Sequence, residues 1–500
     1  MSANESKSGT PILQERGLFW WADQPLPSTQ FAPDTSAVGV LKIEAEGRIM
    51  LDLDGVISDR RTSFPALALS TDEPELKTRR IRGLLTNSNK RVLLCDLIRR
   101  GGRFATSNVS TERFLATQCL VGDQDFPRNL KDLLYSYVDV DLKGFEEWLR
   151  VSSIRTKRSK VTLQAKYRRP KNIDYSLPNG KLSVDYDLFG PWLGETRQEK
   201  LDLRESVLLR FKPKMRMSFE DVTTYHSLLQ DLFILMTNSN YSLDWPRVAL
   251  GGKTSFTLYY ARMIGNDDAP RYFDCTINFI QMRENFGELF SNWWTKRETF
   301  GPGFNLYLGT RRGVHLYAEH RFIMLIWGIE AYRKKYGSTR SGNIEKKVAR
   351  ILNRVTDRKD QKWLAQRLRF ASEPNLEQRI VETIKDVPLE LDPKRVRKFA
   401  EGCAKDRNDM SHFGEHRDEG RTYSQFMRAL HRKSEALSHL YHLLILSEIG
   451  VDRTILRNWF DQGLRSYQMK SALVEVGLME PGSERSPAAQ VFQGASAEAS

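Results

Sequence analysis

Five hundred residues exceed what one hydrophobic core usually holds, so two domains are expected, and a composition 40% hydrophobic and 10% aromatic excludes a disordered chain. A formal net charge of +14, from 77 basic against 63 acidic side chains, favours an anionic partner such as nucleic acid, although a solvated basic surface gives the same count. The four cysteines, Cys95, Cys119, Cys275 and Cys403, form no Cys-x-x-Cys pair, which argues against a zinc site or disulfide framework and for reduced thiols.

The first residues are polar, with no apolar signal core, and residues 1–15 are expected to be loose. The longest apolar runs, at 322–329 and 443–446, fall short of the ~20 residues a membrane span needs, so a soluble cytoplasmic protein is expected. After Gly17-Leu18-Phe19-Trp20-Trp21 and a link containing Pro25, Pro27 and Pro33, period-two alternation at 38–44 and 48–55 predicts a hairpin. Further strands are predicted at 81–86, 91–98, 113–121, 160–167, 181–188, 205–211, 248–260 and 272–280, with helices at 136–150 and 219–237. Residues 16–285 therefore read as a mostly β domain. It shows no glycine-rich phosphate loop, no Gly-x-Ser-x-Gly and no closely spaced metal ligands, so it is assigned no chemistry and no cofactor. One stretch stands apart: Arg155, Lys157, Arg158, Lys160, Lys166, Arg168, Arg169 and Lys171 follow one another with no acidic residue between them and with Tyr167 interleaved. Such a run is expected to bind RNA, gripping the phosphate backbone and stacking a base on Tyr167, unless it is a solvated hairpin edge that basic residues keep from pairing.

Residues 286–304 read as a link into the second domain. Helical spacing then predicts helices at 314–335, 343–356, 361–371, 376–384, 392–411, 423–449 and 452–463, with no convincing strand among them. The expected architecture is a two-domain α+β chain, a β-rich N-terminal domain followed by an all-α bundle over 305–475. The serine-, alanine- and glycine-rich tail, 476–500, is expected to be disordered.

The chemistry concentrates late in the bundle. Val396, Phe399, Ala400 and Cys403 follow the i, i+3, i+4, i+7 pattern of a buried helix face, and Arg407 falls on that same face. An inward arginine needs a carboxylate, carbonyls or a bound anion, unless it snorkels from the helix end. In the first helix of the bundle the stripe Ile323, Ile326, Trp327 continues onto Glu330, an inward carboxylate that needs a cation. Beside Arg407 stand Asn408 and His412. Together they supply an anion clamp, a neutral hydrogen-bonding group and a proton-transfer group that titrates near neutrality. Positions five apart on a helix differ by ~140° in direction, so either the helix breaks near Gly414 or two chains share one site across a two-fold axis. His412 and His416 have the spacing of two helical metal ligands, but no third ligand is evident and no metal is assigned. His431, His439 and His442 read as packing or surface residues of a long helix, and the basic residues between Lys346 and Arg369 mainly as a solvated face that could also guide RNA.

These strings carry a resemblance. R-N-D-M-S-H, residues 407–412, resembles the Arg-polar-x3-His signature of HEPN domains, a helical ribonuclease superfamily. G-L-F-W-W, G-V-L-K-I-E and the pair I-R-G-L-L-T and R-V-L-L-C-D resemble the domain that precedes HEPN in ApeA-like anti-phage proteins, and R-F-I-M-L-I-W-G-I-E-A-Y resembles the first long HEPN helix of that branch. The resemblance implies a metal-independent RNA endonuclease of bacterial defence, acting by abortive infection. In it the RNA 2′-hydroxyl attacks and leaves a 2′,3′-cyclic phosphate, with Arg407, Asn408, His412 and Glu330 at the site. It also implies a homodimer through the helical domain and an N-terminal half that senses a phage-derived trigger. The competing expectations are a catalytically idle HEPN module that binds RNA or protein, and a DNA-binding regulator, the latter weaker because no helix-turn-helix is evident.

Overall fold

The computed structural model describes residues 10–24, 31–57, 79–103, 110–127, 133–151, 153–190, 202–252, 254–300, 302–312, 316–336, 342–413, 420, 422–463 and 465–483. The chain divides into two units that interleave in sequence. The first takes 1–143, 152–227 and 242–265, and the second takes 144–151, 228–241 and 266–500.

Alternation builds the first unit. Strands β2 (Ala37–Ile43), β3 (Ile49–Asp54) and β4 (Ile81–Leu85) bury alternate residues, whereas β1 (Leu13–Trp21), β5 (Arg91–Arg103) and β6 (Thr111–Gly122) also bury consecutive ones, such as Phe19-Trp20-Trp21 and Val92 to Cys95. They pair antiparallel in the order β6-β3-β2-β1-β4-β5, and β5 returns to β6, which closes a six-stranded barrel. Phe19, Trp21, Leu41, Ile43, Leu51, Leu53, Ile81, Leu94 and Phe114 fill its core. Gly17 sits where β1 meets β4: a Cβ there would stand 2.5 Å from the Leu84 carbonyl oxygen, so the close pairing requires glycine. Glu112, 1% exposed, accepts a 3.0 Å hydrogen bond from the Ile57 amide and pairs with Arg99 at 3.4 Å.

From β6 the sheet continues outward. Its further strands are β7 (Tyr137–Asp141), β10 (Ile173–Leu177), β11 (Gly180–Phe189), β12 (Arg204–Pro213), β13 (Arg247–Ala249) and β14 (Phe256–Tyr260), in the spatial order β14-β13-β7-β12-β11-β10. Strands β8 (Ile154–Arg158) and β9 (Leu163–Tyr167) pair only with each other.

Several local readings change here. Residues 136–150, expected as a helix, hold β7 and the four-residue helix α1 (Glu146–Leu149), because Tyr-Val-Asp-Val-Asp alternates with period two and buries Val138 and Val140 in the sheet. Residues 272–280, expected as a strand, form turns and the short helix α3 (Phe279–Met282), which Asn278 starts with a capping box. The expected strand at 248–260 is split by Gly251 and Gly252, both at positive φ. Helix α2 (Phe219–Thr237) has the expected bounds, and Val222, Tyr225, Leu229, Leu232, Phe233 and Met236 are all buried, so it is a core helix on every side.

The second unit is helical. Helices α4 (Phe286–Phe300) and α5 (Pro302–Arg311) occupy residues read from sequence as a link: Phe286, Leu289, Phe290, Trp293 and Phe300 are buried at helical spacing. There follow α6 (Ala318–Tyr336), α7 (Gly342–Leu352), α8 (Arg358–Leu368), α9 (Leu376–Asp386), α10 (Pro393–Phe413), α11 (Tyr423–Glu448), α12 (Arg453–Gln462) and α13 (Ser466–Glu475). Helix α6 packs against α5, α9, α10 and α11. Trp327, expected on its inward stripe, is 47% exposed, and the buried stripe runs through Phe322, Ile326 and Ile329 instead. Helices α7 and α8 bury no residue, as a solvated basic face would. Of the tail expected to be disordered, residues 476–483 fold back, with Leu478 buried and Glu480 pairing with Arg395 at 2.7 Å, while 484–500 lie outside the described residues, as do 1–9 of the N-terminal segment. Among the described residues no helix is long and apolar enough to cross a membrane.

A closed ion cluster ties α2 to the bundle helices of this unit. Asp231, 1% exposed, meets Arg297 at 2.6 Å and also binds Arg312, whose Nε donates at 3.0 Å. His442, also buried, exchanges hydrogen bonds with the Tyr307 hydroxyl at 2.8 Å and the Thr276 hydroxyl at 3.1 Å.

Candidate active site

Helix α10 starts on Asp392, whose carboxylate accepts from the Arg395 amide at 2.8 Å, with Pro393 as the first helical residue. Its buried face is the expected one: Val396, Phe399, Ala400 and Cys403 are each at most 4% exposed. Burial pushes the Cys403 thiol up to about 12, so the sulfur is packing and not a nucleophile. One turn further along that face the backbone delivers Arg407, whose side chain is half-buried.

Arg407 meets Glu330. Its Nη2 stands 3.6 Å from Glu330 Oε2, and its Nη1 donates to the Asn408 side-chain oxygen at 3.2 Å. The pairing expected between two inward charges on different helices is therefore present, and Asn408 joins it from an exposed position. At 3.6 Å the contact is an ion pair without a hydrogen bond, and Arg407 Nε is buried with no acceptor in reach.

A third residue completes the arrangement. Arg379 of α9, 7% exposed, sets Nη1 at 3.9 Å from the other Glu330 oxygen and donates from Nη2 to Glu373 at 3.2 Å. The result is a relay of alternating charge, Glu373 to Arg379 to Glu330 to Arg407, in which the last member faces outward. Arg379 escaped the sequence reading although the same signal marked it, since it shares a helix face with buried Thr383 and lies beside Ile380 and Ile384. Next to the relay, Asp406 is buried and ion-paired with Lys433 at 2.7 Å, and Gly402 leaves room for that lysine, since a Cβ there would stand 3.0 Å from its nitrogen.

Position 412 lies on α10, which continues through Phe413. The His412 side chain is outside the described residues, as are residues 414–419 with His416. Among the described residues no cluster of three or more histidines, cysteines or carboxylates could hold a metal. Of the other histidines on α11, His431 is exposed and His442 is buried packing, its pKa held well below the ordinary value by burial and then by Arg311. The basic run belongs to the first unit: Arg155, Lys157, Arg158, Lys160 and Lys166 are exposed on the β8–β9 hairpin, and Arg168, Arg169 and Lys171 follow it.

Residues 15–293 match the family model described as ApeA N-terminal domain 1, and residues 323–455 match the one described as Apea-like HEPN. The chain belongs to the ApeA-like family. Its HEPN match contains Glu330, Arg379, Arg407 and His412 together, and an ApeA-like HEPN domain marks a HEPN anti-phage defence protein. HEPN domains are generally ribonuclease-like, and they commonly dimerise and bind RNA. Searches of curated proteins and of solved structures found no match.

Proposed function

We propose that this protein is an RNA endonuclease of anti-phage defence that uses no metal and acts by abortive infection. The observation that carries the reading is the Arg407–Glu330 pair at 3.6 Å, backed by Arg379, on the helix that bears R-N-D-M-S-H. RNA brings its own nucleophile, the 2′-hydroxyl, so the enzyme needs only to align that oxygen with the scissile phosphate, move two protons and stabilise added negative charge. Arg407 clamps the phosphate: Glu330 aims its guanidinium, and the loose contact leaves donors free for phosphate oxygens. Asn408 steadies the guanidinium without adding charge. His412 transfers the proton, and the products are a 2′,3′-cyclic phosphate and a 5′-hydroxyl.

Positions 407 and 412 sit on one unbroken helix, ~140° apart, so a site that uses both is composed from two chains. A homodimer through the helical domain would bring two arginines and two histidines to one cleft, which gives the separate base and acid that a single histidine cannot provide at once.

The test is RNA cleavage in EDTA by the wild type and by Arg407→Ala and His412→Ala. Cleavage by wild type, with each variant slowed about 100-fold or more, supports the site. Full activity in both variants removes the chemistry from these residues. Wild type that binds RNA but stays inert with its trigger present makes the domain an idle binding module.

A further inference from the structure

Strands β8 and β9 form a ribbon of their own, joined by a tight turn in which the Ser159 amide donates to the Thr162 carbonyl at 2.8 Å. The register assigns the faces. Ile154 pairs with Tyr167, Thr156 with Ala165 and Arg158 with Leu163 on one side, and Arg155 pairs with Lys166 and Lys157 with Gln164 on the other. One face of the ribbon thus carries Arg155, Lys157 and Lys166, with Gln164 its neutral member, and Arg155 and Lys166 stand directly opposite each other.

Like charges placed opposite across two strands are destabilising, and a two-stranded ribbon is marginal in water to begin with. A few basic residues are enough to keep an edge from pairing. This ribbon carries Arg155, Lys157, Arg158, Lys160 and Lys166, and among the described residues none of them has an acidic partner. The apolar side chains near the tip are open as well, with Val161 92% and Leu163 73% exposed. Edge protection therefore explains too little of the charge, whereas a polyanion lying on the ribbon turns the repulsion into attraction.

The form of the polyanion follows from what the ribbon lacks. Single strands are held by aromatic platforms on which bases stack. The one aromatic of the hairpin, Tyr167, pairs with Ile154 at the root, on the face opposite the cations, and its hydroxyl is buried. An A-form RNA duplex has a major groove too narrow for side chains to read, whereas the B-form groove, about 12 Å wide, admits a two-stranded ribbon. Two strands ~4.8 Å apart make a ribbon narrow enough to enter such a groove, and the five residues of β8 run roughly 17 Å along it. We infer that the β8–β9 ribbon is a docking arm for double-stranded DNA, with Arg155, Lys157 and Lys166 on the phosphates. DNA lacks the 2′-hydroxyl, so in this role it is a ligand and not a substrate for the chemistry proposed above, and the inference stands independently of that reading.

The experiment titrates the full-length protein against a short fluorescent DNA duplex, a 2′-O-methyl RNA duplex of the same sequence and the single strands, at two salt concentrations. The DNA duplex is expected to bind more tightly than the other ligands. The triple variant Arg155→Ala, Lys157→Ala, Lys166→Ala should weaken it about tenfold or more and lower the log–log salt slope by about 3. Leu163→Ser, on the opposite face, should leave the slope unchanged, and thermal melting of each variant shows that the fold is kept. The inference is overturned if the triple variant holds the DNA duplex as tightly as wild type, if the RNA duplex binds equally well and is lost equally, or if the duplex does not bind.

Discussion

Two carboxylates in the helical unit, Asp231 and Glu330, each face two arginines, and the two pairings have opposite character. At Asp231 the carboxylate is 1% exposed and is gripped by Arg297 at 2.6 Å and by Arg312. At Glu330 the carboxylate side chain is 19% exposed and its arginines stand at 3.6 and 3.9 Å. The first arrangement is closely paired and closed to solvent. The second is looser, 3.6 Å against 2.6 Å, and faces outward, which is the condition of a group that still has an anion to receive. Tightness of pairing, more than the presence of charge, separates scaffold from site in this bundle.

The largest effect that separates the clusters should come from Asp231→Ala, which leaves two arginines around a vacated carboxylate. We expect a loss of about 3 kcal/mol in urea unfolding. Arg407→Ala should instead change stability by less than about 1 kcal/mol while it slows RNA cleavage about 100-fold, and a large drop in unfolding free energy would make Glu330–Arg407 a second scaffold cluster. Arg379→Lys tests the relay more finely. Lysine keeps the charge but cannot bridge Glu373 and Glu330 with two arms of a fork, so cleavage should fall about tenfold through poorer placement of Arg407, with RNA affinity nearly unchanged. Equal rates in wild type and Arg379→Lys would cut Arg379 out of the site.

The smallest effect concerns protons near the closed side of the bundle. Burial pushes His439 down to about 4. Between about pH 4 and the ordinary histidine value of about 6.5 the unfolded chain binds the proton and the folded chain does not, so stability rises with pH. The contribution is complete above about pH 6.5 and is lost as pH falls toward about 4. Urea unfolding of wild type and His439→Gln across that window should show the steeper acid loss in wild type, and parallel curves would mean that the histidine is solvated.

Much of the site was legible because helical periodicity is local. The i, i+3, i+4 spacing of Val396, Phe399, Ala400 and Cys403 determines which way Arg407 points, whereas the stripe drawn to Glu330 runs through the exposed Trp327, and Glu330 lies beside the buried stripe Phe322, Ile326, Ile329. Period-two alternation likewise determined most strands of the barrel, and its neglect at Tyr137–Asp141 produced the misread helix. Tertiary structure alone decided three things. It paired β3 with β6 and β1 with β4, strands about sixty residues apart in sequence, and so closed the barrel. It divided α2 between two units, because a helix apolar on every side carries no record of which neighbours will cover it. It made Asp231 a scaffold and left Glu330 open, since charge and spacing are written in sequence, whereas the distance between two charges on different helices is set by how the helices pack.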